Sequence, residues 1–343
     1  MENLSIDPEG AADSAGLIYV TPDMPGIRRM RQGEEFVYIA PTGDKVTDER
    51  TIARIRALSI PPAWEDAWIC PVARGHLQAV GTDRRGRRQY RYHAAWRTVR
   101  DRTKFHRLIP FGEALPVIRE RVSADLQLPA LPREKVIAAI LRLLERTHMR
   151  IGNEEYAREN KSFGLTTLRG RHAEVHGAAI RFRFRGKSGV EHEIDIRDKR
   201  LARIVARCHE IPGQQLFEYL DANGRPQPVD SSHVNGYLKI VTGEDFTAKD
   251  FRTWAGTVLA ASALLRNVPP PEAETERRHT IVEAVKHVSR RLGNTPAVCR
   301  SYYIHPVILD AYGRREFDIR LLEETKGLHV VEGGVLRFLK RHN

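Results

Sequence analysis

Hydrophobic positions along this chain follow two periods, and the change between them divides the sequence. In the N-terminal part, apolar and polar residues alternate in short runs bounded by turn residues, which is the pattern of strands. Phe36-Val37-Tyr38-Ile39-Ala40 predicts a strand, and Pro41-Thr42-Gly43-Asp44-Lys45 predicts the turn after it. Thr51 to Leu58 reads as a short helix stopped by Pro61-Pro62. His76-Leu77-Gln78-Ala79-Val80 predicts a further strand. Asp83-Arg84-Arg85-Gly86-Arg87-Arg88 follows as a basic turn, and then Gln89-Tyr90-Arg91-Tyr92-His93. From Ala94 the period lengthens to that of helices, over Trp96 to Lys104, Ala114 to Leu126 and Arg133 to His148. One β island interrupts them, with strands at Ala173 to His176, Ala179 to Arg185 and Val190 to Ile196. Helices resume at Lys199 to His209, Ala248 to Leu265 and Glu272 to Leu292.

This pattern predicts an α+β protein. Residues 1–18 form a flexible tail, 19–104 a small β-rich N-terminal domain and 105–343 a larger, mainly α-helical domain with a short three-stranded β island. At 343 residues with 41% hydrophobic content the chain can fill such cores. Its net charge of +12 does not set the fold, but it favours polyanionic partners, nucleic acid first and a charged membrane surface second. No run of about 18 apolar residues predicts a membrane span. The polar, acidic start MENLSIDPEGAADSAG does not resemble a signal peptide. Three cysteines, Cys70, Cys208 and Cys299, are too few and too scattered for a disulfide framework, which suits a reducing cytoplasm.

Two tempting motifs fail on spacing. Gly186-Lys187-Ser188 resembles the end of a phosphate-binding loop, but Arg181 stands where that loop needs glycine and a strand follows instead of a helix. His172-Ala173-Glu174-Val175-His176 has its glutamate one place late for a zinc-protease helix and lies in a strand. No Cys-x-x-Cys pair occurs, so neither a nucleotide nor a metal is expected as cofactor. The basic segments are more informative. Arg84 to Tyr92 mixes cations with aromatics and an amide, groups that meet phosphates, sugars and base edges; the alternative is a solvated basic loop. Arg181-Phe182-Arg183-Phe184-Arg185 predicts a strand with one apolar and one positive face. Its turn puts Lys187 at a hairpin tip, where a lysine either enters a groove to donate a proton or is an ordinary surface residue. Thr247 begins a helix with Asp250 at the capping-box position, and places Arg252 in the first turns.

Taken in order, these segments resemble the type IB topoisomerases of the poxvirus and bacterial kind. His76-Leu77-Gln78 with Gly86 to His93 resembles that family's N-terminal DNA-contacting segment. Arg150-Ile151-Gly152-Asn153-Glu154-Glu155-Tyr156, with Ser162 to Leu168, resembles its first catalytic motif. Phe184 to Gly189 resembles the lysine hairpin, Phe246 to Trp254 the second arginine motif, and Leu292 to Val298 with Ser301 to Pro306 the tyrosine motif. Five motifs in sequence, from about residue 20 to 312, make the resemblance specific. It implies Arg150, Lys187, Arg252, Asn294 and Tyr303 as catalytic residues. It implies Gln78, Arg87, Arg88, Gln89, Tyr90, Arg91, Tyr92, Tyr156 and Lys249 as DNA contacts. Many relatives carry histidine where Asn294 stands; asparagine still donates a hydrogen bond but cannot carry charge. Tyr302 adjoins Tyr303, and the spacing to Ile304-His305-Pro306 favours Tyr303.

The activity so implied is relaxation of supercoiled DNA by transient single-strand cleavage through a 3′-phosphotyrosyl link, followed by rotation and religation, without ATP or metal. Exchange of one phosphodiester for another is near thermoneutral. Two arginines would clamp the non-bridging oxygens, and a lysine would protonate the leaving 5′-oxygen. The expected partner is double-stranded DNA, held in a C-shaped clamp by a monomer without membrane attachment, in the cytoplasm at the nucleoid. A site-specific tyrosine recombinase shares the Arg, Lys, Arg and Tyr chemistry, and a non-enzymatic basic DNA-binding protein needs none of it. A covalent protein–DNA adduct separates the last from the other two.

Overall fold

The alternating runs of the N-terminal part close into one antiparallel sheet. In the computed structural model, which describes residues 8–33, 35–84, 86, 88–96, 105–317 and 325–342, the chain divides into two compact units, Met1–His106 and Arg107–Asn343. The first unit holds α1 (Pro8–Ser14), β1 (Ile27–Gln32), β2 (Glu35–Ile39), α2 (Glu49–Ala57), β3 (Glu65–Ile69), β4 (Leu77–Thr82) and β5 (Arg88–Tyr92). The sheet order is β2-β1-β3-β4-β5. β4 is buried on both faces. Leu77 and Val80 join Val20 and Cys70 on one side, while Ala79 joins Ile27, Ile69 and Ile55 of α2 on the other. Leu77 and Val80 share a side because the register with β5 shifts between Leu77 and Ala79, which breaks strict alternation.

This unit departs from the sequence reading in its tail and in two strands that reading lacked, β1 and β3. The flexible tail expected over residues 1–18 is helical from Pro8, and Ala12 and Leu17 pack with Trp96. Those two apolar positions are too few to show through a polar run; residues 1–7 lie outside the described ones. β1 was hidden by its arginines. Arg29 bonds the carbonyls of Ile60, Pro61 and Trp64, so it serves as a packed donor and not as a surface charge. Residues 97–104, most of the expected helix from Trp96, lie outside the described residues.

The second unit is built around α4 (Arg133–Thr147), whose residues Val136 to Leu141, Leu143 and Leu144 are all buried. It packs on α3 (Leu108–Asp125), α6 (Lys199–His209), α7 (Ser231–Thr242) and α8 (Ala248–Leu265). Between α4 and α6 come the short α5 (Glu154–Asn160) and the sheet β6 (Ala173–His176), β7 (Ala179–Arg185) and β8 (Glu191–Arg197), with β7 in the middle. A small hairpin, β9 (Glu218–Leu220) and β10 (Pro226–Pro228), precedes α7. Then follow α9 (Glu274–Leu292), α10 (Pro296–Tyr302), α11 (Pro306–Gly313) and α12 (Val330–His342).

The C-terminal helix is tied in by charge as well as packing. Arg119 of α3 meets Glu332 of α12 through two 2.8 Å bonds and Glu145 of α4 at 2.6 Å. Trp254 of α8 donates to the same Glu332 at 3.2 Å. Burial alone would raise the Glu332 carboxyl; the Arg119 guanidinium outweighs it and holds the group below the usual carboxylate range.

Candidate active site

Five segments of the second unit converge at the C-terminal ends of α4 and α9. Helix α4 ends when His148 takes a left-handed conformation, φ 56°, and turns the chain toward Arg150. The loop that follows is fastened to Gly164–Thr167. Leu165 donates to the Arg150 carbonyl at 2.9 Å, and Thr166 donates to that of Ile151 at 2.7 Å. A Cβ on Gly164 would fall 2.7 Å from the Arg150 carbonyl oxygen, so only glycine permits the approach. This explains why the first motif comes in two pieces: the second piece is the floor under Arg150.

Arg252 enters from α8, whose first turn is closed by the Thr247–Asp250 capping box. The residue is 4% exposed. It donates through Nη1 to the His148 carbonyl and through Nη2 to the Leu292 carbonyl, the latter at 2.8 Å. Both carbonyls belong to helix C-termini, where orphan acceptors and the negative end of the dipole stabilise a buried cation. Burial lowers the Arg252 pKa, the Tyr303 phenol opposes that, and Arg150 adds to it. Arg150 reaches the same helix end, donating to the Gly293 carbonyl at 3.3 Å and to Asn294 Oδ1.

Tyr303 follows α10, which Thr295 caps and Pro296 starts. Its ring lies over Arg252, with Cζ 5.2 Å from the ring centroid. The same helix that carries Arg252 also seats the tyrosine backbone. Gly256, one turn on, lies so close that a Cβ there would sit 3.0 Å from the Tyr303 Cβ and closer still to its carbonyl oxygen. Thr257 Oγ1 accepts from His305 N at 3.0 Å and shares its one proton between the Thr253 carbonyl at 3.0 Å and the Tyr303 carbonyl at 3.4 Å. Tyr302 is 48% exposed, and it is the ring of Tyr303 that meets Arg252.

Two donors in this cluster are left over. Arg252 Nε and Asn294 Nδ2 are buried and have no hydrogen-bond partner among the described residues. A buried unmet donor costs on the order of 1–3 kcal/mol, so such a pair beside two guanidinium groups suits an anion with several acceptor oxygens. Lys187 is not part of the cluster. It lies exposed on the turn between β7 and β8, where Ser188 and Gly189 have φ of 64° and 78°. The base of that hairpin does reach the site. Gly186 and His192 line a cavity of about 400 Å³ together with His148, Arg150, Arg252, Arg290, Arg291 and Gly293.

The two histidines of this cavity carry no signal in the sequence, since neither has a partner at a recognisable spacing. Burial, then Arg291 and Arg252, lower His148 to about 4. Burial, then Arg150 and Arg252, lower His192 as well. A larger cavity of about 650 Å³ lies on the other side of Phe163, bordered by Arg158, Lys161, Arg169 and Arg171.

The expected DNA contacts fare unevenly. Gln78 is 3% exposed, and its amide is used within its own unit: Oε1 accepts from Arg54 at 2.7 Å, and Nε2 donates to the Gly75 carbonyl at 2.7 Å. It is a buried strut within β4 itself, its amide spent on Arg54 and the Gly75 carbonyl. Arg87 lies outside the described residues. Arg88 and Tyr90 are exposed on one face of β5, and Tyr90 stacks with the half-buried Tyr92 at 6.1 Å. Gln89 and Arg91 face the other way, toward Asp83 and over Trp64. Tyr156 on α5 is half-buried, and Lys249 is exposed in the first turn of α8. Of the three arginines on the positive face expected of β7, two are met by acids. Arg181 pairs with Asp195 at 2.7 Å, and Arg183 pairs with Glu193 and Glu174.

Known proteins resemble this chain over most of its length. Residues 93–320 match the family model of the eukaryotic DNA topoisomerase I catalytic core, and residues 35–83 match that of the bacterial DNA topoisomerase IB N-terminal domain. DNA topoisomerase 1B of Acanthamoeba polyphaga mimivirus is 32% identical over 296 residues, covering 84% of this chain and 88% of the viral protein. DNA topoisomerase I of monkeypox virus and DNA topoisomerase 1B of vaccinia virus (strain Copenhagen) are each 21% identical over 255 residues, covering 74% of this chain and 77% of theirs.

Proposed function

The chain belongs to the type IB DNA topoisomerases, and from that premise we propose that Tyr303 is its nucleophile, with Arg150, Arg252, Asn294 and Lys187 acting on the same phosphate. The reaction relaxes supercoiled DNA by nicking one strand, letting it rotate and resealing it. The observation that supports the reading is the pair of buried, unmet donors, Arg252 Nε and Asn294 Nδ2, with Arg252 against the ring of Tyr303 and Asn294 held on Arg150.

Tyr303 Oη forms a bond to phosphorus as the bond from phosphorus to the 5′-oxygen breaks. The phenolic proton leaves to water, and the Lys187 ammonium supplies the proton gained by the 5′-oxygen. Arg150 and Arg252 neutralise the non-bridging oxygens of the phosphorane, and Asn294 Nδ2 donates to one of them. Arg252 is preorganised: both its Nη groups are fixed on helix ends, so it need not reorient when charge develops. Religation is the reverse, with the 5′-hydroxyl attacking the phosphotyrosine and Tyr303 leaving. The protein is proposed to act as a monomer on duplex DNA at the cytoplasmic nucleoid. Arg88, Tyr90 and Lys249 are its exposed DNA contacts.

The decisive experiment pairs two assays. Supercoiled plasmid should be relaxed in EDTA without ATP, and denaturant should trap a covalent adduct that Tyr303→Phe abolishes while DNA binding persists. Full relaxation by Tyr303→Phe would overturn the assignment.

A further inference from the structure

We infer that His192 is a positioning residue for Lys187, a ring wedged between the lysine turn and the helix end that holds Arg150 and Asn294. The inference rests on the reading of Lys187 as the general acid. Its footing is contact geometry. A Cβ on Gly186, the residue before Lys187, would lie 2.5 Å from His192 Cδ2 and 2.6 Å from Nε2. A Cβ on Gly293, the residue before Asn294, would lie 2.8 Å from Cε1 of the same ring. The imidazole therefore fills the gap between the two turns, and both bordering positions are glycine. Phe184 backs it, with ring centroids 5.1 Å apart. His192 pairs with Phe184 in the β7–β8 register, the last inward pair before the lysine turn.

Packing alone does not call for an imidazole here. The next inward positions of β8 are Ile194 and Ile196, and hydrocarbon serves there. His192 makes no hydrogen bond to the described residues. Arg150 and Arg252 face it from the loop after α4 and from α8, and Glu191 faces it from its own strand. Arg146, His148, Arg290, Arg291, Glu193 and Asp195 complete the charged lining of its cavity. Two facing cations and burial favour the uncharged ring. It can then sit against the arginines without repelling them, while a lysine or arginine in its place could not. Lys187 is exposed on a turn with two residues at positive φ, so the wedge under Gly186 is what fixes the turn's distance from the clamp.

The test is single-turnover cleavage of DNA by His192→Ala and His192→Gln, on ordinary duplex and on duplex whose scissile 5′-oxygen is replaced by sulfur. A thiolate leaves without a proton, so the sulfur substrate removes the need for a placed acid. Each variant should slow ordinary cleavage about 10- to 100-fold, less than the roughly 10²–10⁴-fold loss of the acid itself. Each should recover to near wild-type rate on the sulfur substrate, as Lys187→Ala should. Adding His192→Ala to Lys187→Ala should cost little more than Lys187→Ala alone. Equal loss on both substrates, with Lys187→Ala rescued, would overturn the inference and assign His192 to the clamp or the fold. If Lys187→Ala itself were not rescued, the fault would lie in the reading of Lys187 as acid. Melting temperatures report whether a variant has lost its fold, and His192→Gln, which keeps more of the volume, covers the case in which His192→Ala does.

Discussion

Asn294 stands where the family resemblance implies a histidine in many relatives, and its contacts bear on what an amide can do there. Its Oδ1 accepts from Arg150, which leaves Nδ2 as the group offered to an anion. The amide can hold Arg150 and donate at the same time, and no protonation step is involved. A histidine could accept from Arg150 only while neutral. Asn294→Asp should therefore bind Arg150 more tightly yet repel the phosphate, and cleavage should fall on the order of 10²-fold, the effect of losing an oxyanion donor, with melting temperature unchanged or raised. Rates near wild type would show that Nδ2 does not meet the phosphate. His148 allows a second prediction, on stability. Its folded pKa is about 4, below the unfolded value of about 6.5, so the unfolded chain binds the proton first. Stability from this group is intact above about pH 6.5 and is lost as pH falls toward 4, by about 3 kcal/mol in all. Denaturant titrations of wild type and His148→Gln should converge or cross over that window, and parallel pH curves would contradict the assignment.

Helix α8 links the arginine to the tyrosine, and the way it does so was only partly legible in sequence. The capping box at Thr247 and the bounds Ala248 to Leu265 follow from local chemistry, and so do the β island and α4, whose periodic runs are long. The short α5, α10 and α11 were not visible, because seven or eight residues are too few for a period and their starts depend on caps at Asn153, Thr295 and His305. The contacts that make the site were hidden for another reason. Arg252 is held by backbone carbonyls, His192 by two glycines and Tyr303 by Gly256, and none of these partners has a side chain that marks it. Gly256→Ala tests the last of them. Its Cβ would push the Tyr303 carbonyl out of place, so overpacking should cost about 1–3 kcal/mol. Covalent adduct formation should fall much further than DNA binding does. Adduct formation at the wild-type rate would mean that Tyr303 is not seated by α8. Glu332→Gln probes the far side of the same helix. It removes the charge from one of the two carboxylates on Arg119, which keeps Glu145, so a loss of about 1.5–3 kcal/mol is expected in chemical denaturation.

Over the whole molecule the question is where the excess of twelve positive charges can act. Sequence pattern pointed to β7 as a basic face, but acids on β6 and β8 meet Arg181 and Arg183 across the sheet. Those charges were unreadable as neutral because their partners come from strands that only the fold brings alongside. Exposed cations near the expected DNA contacts are instead Arg88 on β5 and Lys249 at the start of α8, one in each compact unit. Each phosphate neutralised releases about 0.9 of a counterion on binding duplex DNA, and the slope of log affinity against log salt counts such contacts. In a Tyr303→Phe background, which keeps binding separate from chemistry, Arg88→Ala and Lys249→Ala should each reduce that slope by about 1. The double variant should reduce it by about 2 if both units hold the same duplex, since each contact releases its own counterion. Arg181→Ala should leave the slope where it was, because its charge is already spent on Asp195 and Glu193. A slope that responded to Arg181 and not to Arg88 or Lys249 would move the DNA path to the three-stranded sheet and withdraw both proposed contacts.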